Sequence, residues 1–143
     1  GHTDRIQFGP AFSPDGKYLV TGSNDGTARL WDVATGRLLS KLDYTDYVYA
    51  ASFSPDGKIL ASTNNWDSTA LRLWDVAGQK QSGLLQEHTD YVNSVAFSPD
   101  GKRLAYIAQE GAQRFVVLDG KPGTKYDAVY KGTLTFSVPD RMK

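Results

Sequence analysis

The sequence predicts an all-β protein made of about three copies of a four-stranded antiparallel sheet. Three observations carry this: one string recurs at a near-constant interval, the residues between its copies alternate apolar and polar with period two, and turn formers punctuate them about every eight to twelve positions. Phe-Ser-Pro-Asp-Gly-Lys stands at 12–17, 53–58 and 97–102, its starts 41 and 44 residues apart, and a damaged fourth copy occupies 136–140. Downstream, Ala-Arg-Leu-Trp-Asp-Val at 28–33 recurs as Leu-Arg-Leu-Trp-Asp-Val at 71–76 and survives at 116–119 as Val-Val-Leu-Asp. Upstream, Gly-His-Thr-Asp at 1–4 is echoed at 43–46 and 87–90.

Each unit reads as four short strands. In the second unit they fall near 48–53, 59–63, 71–74 and 80–85, rich in β-branched and aromatic residues, with no amphipathic helix between them. Ser54-Pro55-Asp56-Gly57 supplies the first turn, Pro fixing φ and Gly accepting a positive φ. The first unit opens with a strand over 6–12 that holds Pro10, which a sheet tolerates only at a channel-facing edge or a bulge. The expected sheets span about 5–43, 47–86 and 91–131, with one extra strand at about 132–138. A sheet this small has two faces to cover and stacks on its siblings, most naturally around an axis.

Composition narrows the function classes. The chain has 143 residues, 40% hydrophobic and 22% charged, enough for one domain with a core and no staples. There is no cysteine, so disulfides and thiolate metal sites are excluded, and the compartment stays open with the cytoplasm favoured. Sixteen basic residues balance sixteen acidic ones, which argues against nucleic acid and anionic lipid as partners. No apolar run approaches the length of a membrane span. Two distant histidines and no calcium-spaced acidic loop leave no metal site, and no glycine-rich phosphate loop precedes a helix; no cofactor is expected.

In order and spacing, the Gly-His, Ser-Pro-Asp-Gly and Trp-Asp elements resemble the WD-repeat β-propellers, most strongly over residues 1–90. The third unit, with Leu-Ala-Tyr-Ile-Ala at 104–108 and the run 115–123, is more similar to TolB-type propeller repeats. Both families build four-stranded antiparallel blades. The WD resemblance implies a hydrogen-bonded relay of His, hydroxyl residue, Asp and Trp: His2, Thr21, Asp25 and Trp31 in unit one. In unit two Tyr44 stands in place of the His, so the expected survivors are Ser62, Asp67 and Trp74. Unit three has Tyr106 for the hydroxyl residue and Leu118 for the Trp, so its relay is lost, and His88 reads as a cap in the loop before it. Hydroxyl, His and Asp in contact also describe a nucleophilic triad, but here the hydroxyl would sit in a strand against an indole with no oxyanion hole implied. No enzyme activity is expected.

An antiparallel meander sorts its loops to two ends. One end carries the stereotyped Ser-Pro-Asp-Gly turns. The other gathers Tyr44, Asn64, Gln109, Glu110 and a proposed partner-binding set, Tyr47, Tyr49, Asn65, Trp66, Tyr91 and Asn93. The leading expectation is a non-catalytic scaffold that binds a peptide or protein on this rim. Three blades fall short of the usual four to eight or so, so self-association is expected to close the ring, as a homodimer in preference to a trimer or to a truncated piece of a longer propeller. The alternatives are a purely structural or engineered propeller fragment, or the accessory propeller of a larger hydrolase-type protein.

Overall fold

A computed structural model describes residues 1–44, 46–64, 71–85, 92–119 and 121–122. All regular structure among them is β, in three four-stranded antiparallel sheets ordered as in the chain. The first sheet comprises β1 (Ile6–Phe12), β2 (Tyr18–Ser23), β3 (Thr27–Asp32) and β4 (Leu38–Asp43). The second comprises β5 (Val48–Phe53), β6 (Ile59–Asn64), β7 (Leu71–Asp75) and β8 (Lys80–Leu85). The third comprises β9 (Val92–Phe97), β10 (Leu104–Glu110), β11 (Gln113–Leu118) and the two-residue β12 (Lys121–Pro122).

The turns explain the register. In Ser13-Pro14-Asp15-Gly16 the Asp15 carboxylate accepts from Ser13 Oγ at 2.6 Å and from the Lys17 N–H at 3.0 Å, while Ser13 Oγ accepts from the Tyr18 N–H at 2.9 Å. The same three bonds recur around Asp56 and Asp100. Gly16, Gly57 and Gly101 all have φ near +70°, the left-handed conformation that other residues enter at a cost. Pro10 lies where the β1–β2 register shifts between Phe8 and Ala11, so the ladder is already interrupted at the residue that lacks an N–H.

β1 and β2 pack on β5, and β5 and β6 pack on β9, so the first strand of each sheet lies on the inner side of the stack. Alternation sends successive residues to opposite faces. Val20, Ala28, Leu30 and Leu42 of the first sheet meet Phe53, Leu60, Trp74 and Val76 of the second in one core. Ala61 and Leu71 of the second meet Val95, Tyr106, Ala108, Phe115 and Val117 of the third in another. The core is therefore two interfaces between sheets, and no sheet has a core of its own. Gly22 sits in the first interface because the Phe8 ring fills the space a Cβ would need.

Candidate functional site

The first blade holds a complete polar relay. β2 presents Thr21, β3 presents Trp31, and the hairpin between them, turned at Gly26 with φ +76°, presents Asp25. His2 reaches in from the chain before β1. Its Nδ1 lies 2.9 Å from Asp25 Oδ2 and its Nε2 lies 2.7 Å from Thr21 Oγ1, while Trp31 Nε1 donates to Thr21 Oγ1 at 2.9 Å. Since the indole N–H can only donate, the Thr21 hydroxyl accepts it and gives its own proton to Nε2; His2 then carries its proton on Nδ1 and donates to Asp25. Every group has a partner.

Thr27 completes the network and was not foreseen from the sequence. Its hydroxyl donates to Asp25 Oδ1 at 2.6 Å and its backbone N–H to the same oxygen at 3.0 Å, with the Thr3 N–H on Oδ2 at 3.0 Å. Arg29 stands 3.5 Å from Oδ2. Burial pushes the Asp25 carboxyl up, but the bonds from Thr27, Thr3 and His2 more than offset this and hold it well below the ordinary carboxylate range. The signal was present in the sequence as a hydroxyl two residues past the Asp, the spacing of an Asx-type turn. This arrangement ties the chain before β1 to the β2–β3 hairpin. The hydroxyl that a triad would use is 8% exposed and engaged by the indole.

The second blade keeps a relay by a different route. Tyr44, expected on the rim, is 9% exposed; its hydroxyl bonds Ser62 Oγ and accepts from Trp74 Nε1 at 3.1 Å, and Trp74 also donates to Ser62 Oγ at 2.9 Å. The expectation that Tyr44 drops out is thus corrected: the phenol spans from the loop to the strand hydroxyl, as the imidazole does in blade one. Burial pushes the Tyr44 phenol above its ordinary value, so it stays protonated and can donate. Arg72 covers the Tyr44 ring at 4.6 Å and donates to the Asp43 carbonyl at 3.1 Å. Asp67 lies outside the described residues.

In the third blade Tyr106 is fully buried. Leu118, expected in the Trp position, pairs with Ala105 on the other face; Val117 pairs with Tyr106 and enters the core instead. Strand β11 is displaced by one residue relative to β7, and a one-residue shift exchanges the two faces.

On the loop rim, Tyr47 and Tyr49 flank the start of β5 and are 43% and 37% exposed. Asn64, expected there, is 2% exposed at the end of β6 and belongs to the interior. Gln109 is half-buried and Glu110 exposed. Asn65, Trp66, Tyr91 and His88 lie outside the described residues, as does the span 132–138 of the expected extra strand; Asn93 falls in β9, with its side chain outside the description. Among the described residues no three His, Asp or Glu side chains converge as metal ligands, and no helix is long and apolar enough to cross a membrane.

Comparison with known proteins agrees with this geometry. The model of the WD domain, G-beta repeat (WD40), matches residues 1–32, 36–75 and 79–106. The chain is 44% identical over 66 residues to WD repeat and SOCS box-containing protein 1 of Danio rerio, covering 46% of this chain and 15% of that protein. It is 38% identical over 74 residues to the U3 small nucleolar RNA-associated protein 21 homolog of Schizosaccharomyces pombe, covering 52% of this chain and 8% of that one. The solved structure of U3-55K superimposes with a TM-score of 0.74 at 20% identity, over 90% of this chain and 41% of that one. The chain thus spans between 8% and 41% of the length of these proteins. With three matched repeats, three stacked four-stranded antiparallel sheets and a superimposable propeller, the chain belongs to the WD40 repeat family and is built of β-propeller blades.

Proposed function

We propose that this chain is a non-catalytic protein-interaction scaffold that presents its loop rim to a peptide or protein and closes its ring by self-association, as a homodimer. Its working units are blades over about 5–43, 47–86 and 91–131, followed by an extra strand at about 132–138. The observation that carries the reading is the contrast among neighbouring tyrosines. Tyr44 is consumed inside the relay, whereas Tyr47 and Tyr49 keep 43% and 37% of their surface open at the head of β5. Rigid aromatic side chains with a polar tip, held at the edge of an ordered strand, offer contact area at low entropic cost. The polar side chains of the relays are engaged with one another, which favours anchoring over chemistry. Asn65, Trp66, Tyr91 and Asn93 would extend this surface.

The test is selection of binding peptides from a displayed library against the chain, followed by affinity measurement on Tyr47→Ala, Tyr49→Ala and Trp66→Ala. Loss of about tenfold or more in affinity, with the melting temperature unchanged, is expected for the rim variants. Peptides that bind all three variants as tightly as the parent would refute the rim as the binding surface.

A further inference from the structure

We infer that the groove between the Ser-Pro-Asp-Gly turns of the second and third blades holds the arginine side chain of a basic peptide. This groove lies at the far end of β5 from Tyr47 and Tyr49, so the inference stands apart from the rim reading. It comes from a difference between the two interfaces of the stack. The turns meet alike in both: a Cβ on Gly57 would lie 3.7 Å from Pro14 Cδ, and one on Gly101 3.5 Å from Pro55 Cδ. The strands that leave these turns differ. β2 opens with Tyr18, which packs on the core that includes Phe53, and Phe53 is 9% exposed. β6 opens with Ile59, which has no ring to extend across the interface, and Phe97, the counterpart of Phe53, is only half-buried. Ile59 and Phe97, with Pro55 and Gly101, line a groove of about 340 Å³, at the low end of the roughly 300–1,000 Å³ of small-ligand sites.

Charge decides the occupant. The charged residues that line the groove are Asp56 and Asp100, one from each turn, and both are exposed. Each ties its own turn through Oδ1, which accepts from a serine hydroxyl and a lysine N–H and leaves Oδ2 outside those bonds. The bonds from Ser54 and Ser98, and then from the two N–H groups, hold both carboxyls below the ordinary carboxylate range, so both are anionic at neutral pH. Lys58 and Lys102 follow the two aspartates in the chain but stand outside the lining. Apolar surface flanked by two anions suits a side chain with an aliphatic stem and a cationic head. A guanidinium presents donors on more than one edge and can meet two separate carboxylates, which favours arginine over lysine.

Titration of the 143-residue chain with N-acetyl-arginine methylamide tests this, read by amide nitrogen–proton correlation spectra at neutral pH, with the citrulline analogue as uncharged isostere. Saturable shifts confined to amides of 54–59 and 97–101, with a Kd of about 1 mM, are expected for the arginine probe, and binding about tenfold weaker or absent for citrulline. Ile59→Tyr places the first blade's residue in the groove and should abolish the shifts with a folded spectrum, because Tyr18 is accommodated at that position. Asp100→Asn should weaken binding about tenfold, whereas Asp15→Asn, the same change in the first turn, should leave it unaltered. The inference is overturned if no saturable shift develops by about 20 mM, if citrulline binds equally, or if Ile59→Tyr binds as the parent does. Shifts at the same amides with calcium chloride and none with the arginine probe would assign the carboxylates to a metal ion and overturn it equally.

Discussion

Tyr44 and Ser62 share one donor, and that sharing has a measurable signature. Trp74 Nε1 reaches Ser62 Oγ at 2.9 Å and the Tyr44 hydroxyl at 3.1 Å, in a site where the indole is 9% exposed. In Tyr44→Phe the N–H keeps Ser62; in Ser62→Ala it keeps Tyr44. Each single change removes the Tyr44–Ser62 bond together with one of the two indole contacts and costs about 1–2 kcal/mol, to which Tyr44→Phe adds little cavity because the ring remains. The double variant leaves the indole N–H with neither oxygen, and an orphaned buried donor costs about 1–3 kcal/mol more. The Tyr44–Ser62 bond, about 0.5–1.5 kcal/mol, is counted in both singles but lost only once in the double, which sets it against the orphan's cost. The pair should thus be worse together than the sum of the singles, by about 1 kcal/mol of coupling. Equilibrium urea unfolding at low protein concentration, followed by far-UV circular dichroism with a constant m-value, reads this directly. Additive losses, or a double variant no worse than the poorer single, would show that the indole does not depend on these two oxygens.

Two further outcomes are expected. Gly22→Ala should destabilise by about 1–3 kcal/mol in the same assay, because the added Cβ would fall into the Phe8 ring and 2.7 Å from Val48 Cγ1; Phe8→Leu in that background should recover part of the loss if the ring is the obstacle. Asp25 is held below its ordinary value of 3.8 in the folded chain, so its stabilisation is complete above that pH and is lost as pH falls through the lower, folded value. Asp15, Asp56 and Asp100 are shifted the same way, chiefly by bonds from Ser13, Ser54 and Ser98. Melting temperature should fall below about pH 4, and Asp25→Asn should be less stable than the parent at neutral pH but lose less on acidification. A parallel acid limb in the two proteins would remove Asp25 from this account.

Much of the blade architecture was legible in the residues because strand and turn signals are local. Alternation, the Ser-Pro-Asp-Gly turns and the positive-φ glycines lie within a few residues of the structure they specify, and the strands of the second blade fall where the alternation puts them. The His2 relay was legible only through the resemblance, since its members are brought together from separated stretches of chain. Tyr44 was misread because its role depends on reach. A phenol hydroxyl at the end of a ring lies far enough from the backbone to meet Ser62, although the residue type does not match an imidazole. Leu118 was misplaced for a different reason: the Trp position was counted along the sequence, but pairing across the β10–β11 hairpin sets which residue faces inward. Asn64 looked like a rim residue by type, yet its place at the end of β6 leaves it 2% exposed.

By itself the sequence determined the number of sheets, their antiparallel order and the chemistry of the tight turns, since each follows from neighbours along the chain and from period-two alternation. Tertiary structure alone decided which face of each sheet is covered. Phe12 and Phe53 sit in the same motif, yet one is 58% exposed and the other 9%, because burial is a property of what lies across the interface. The difference between the buried and the exposed copy of this side chain lies in that neighbour and in no feature of the residue.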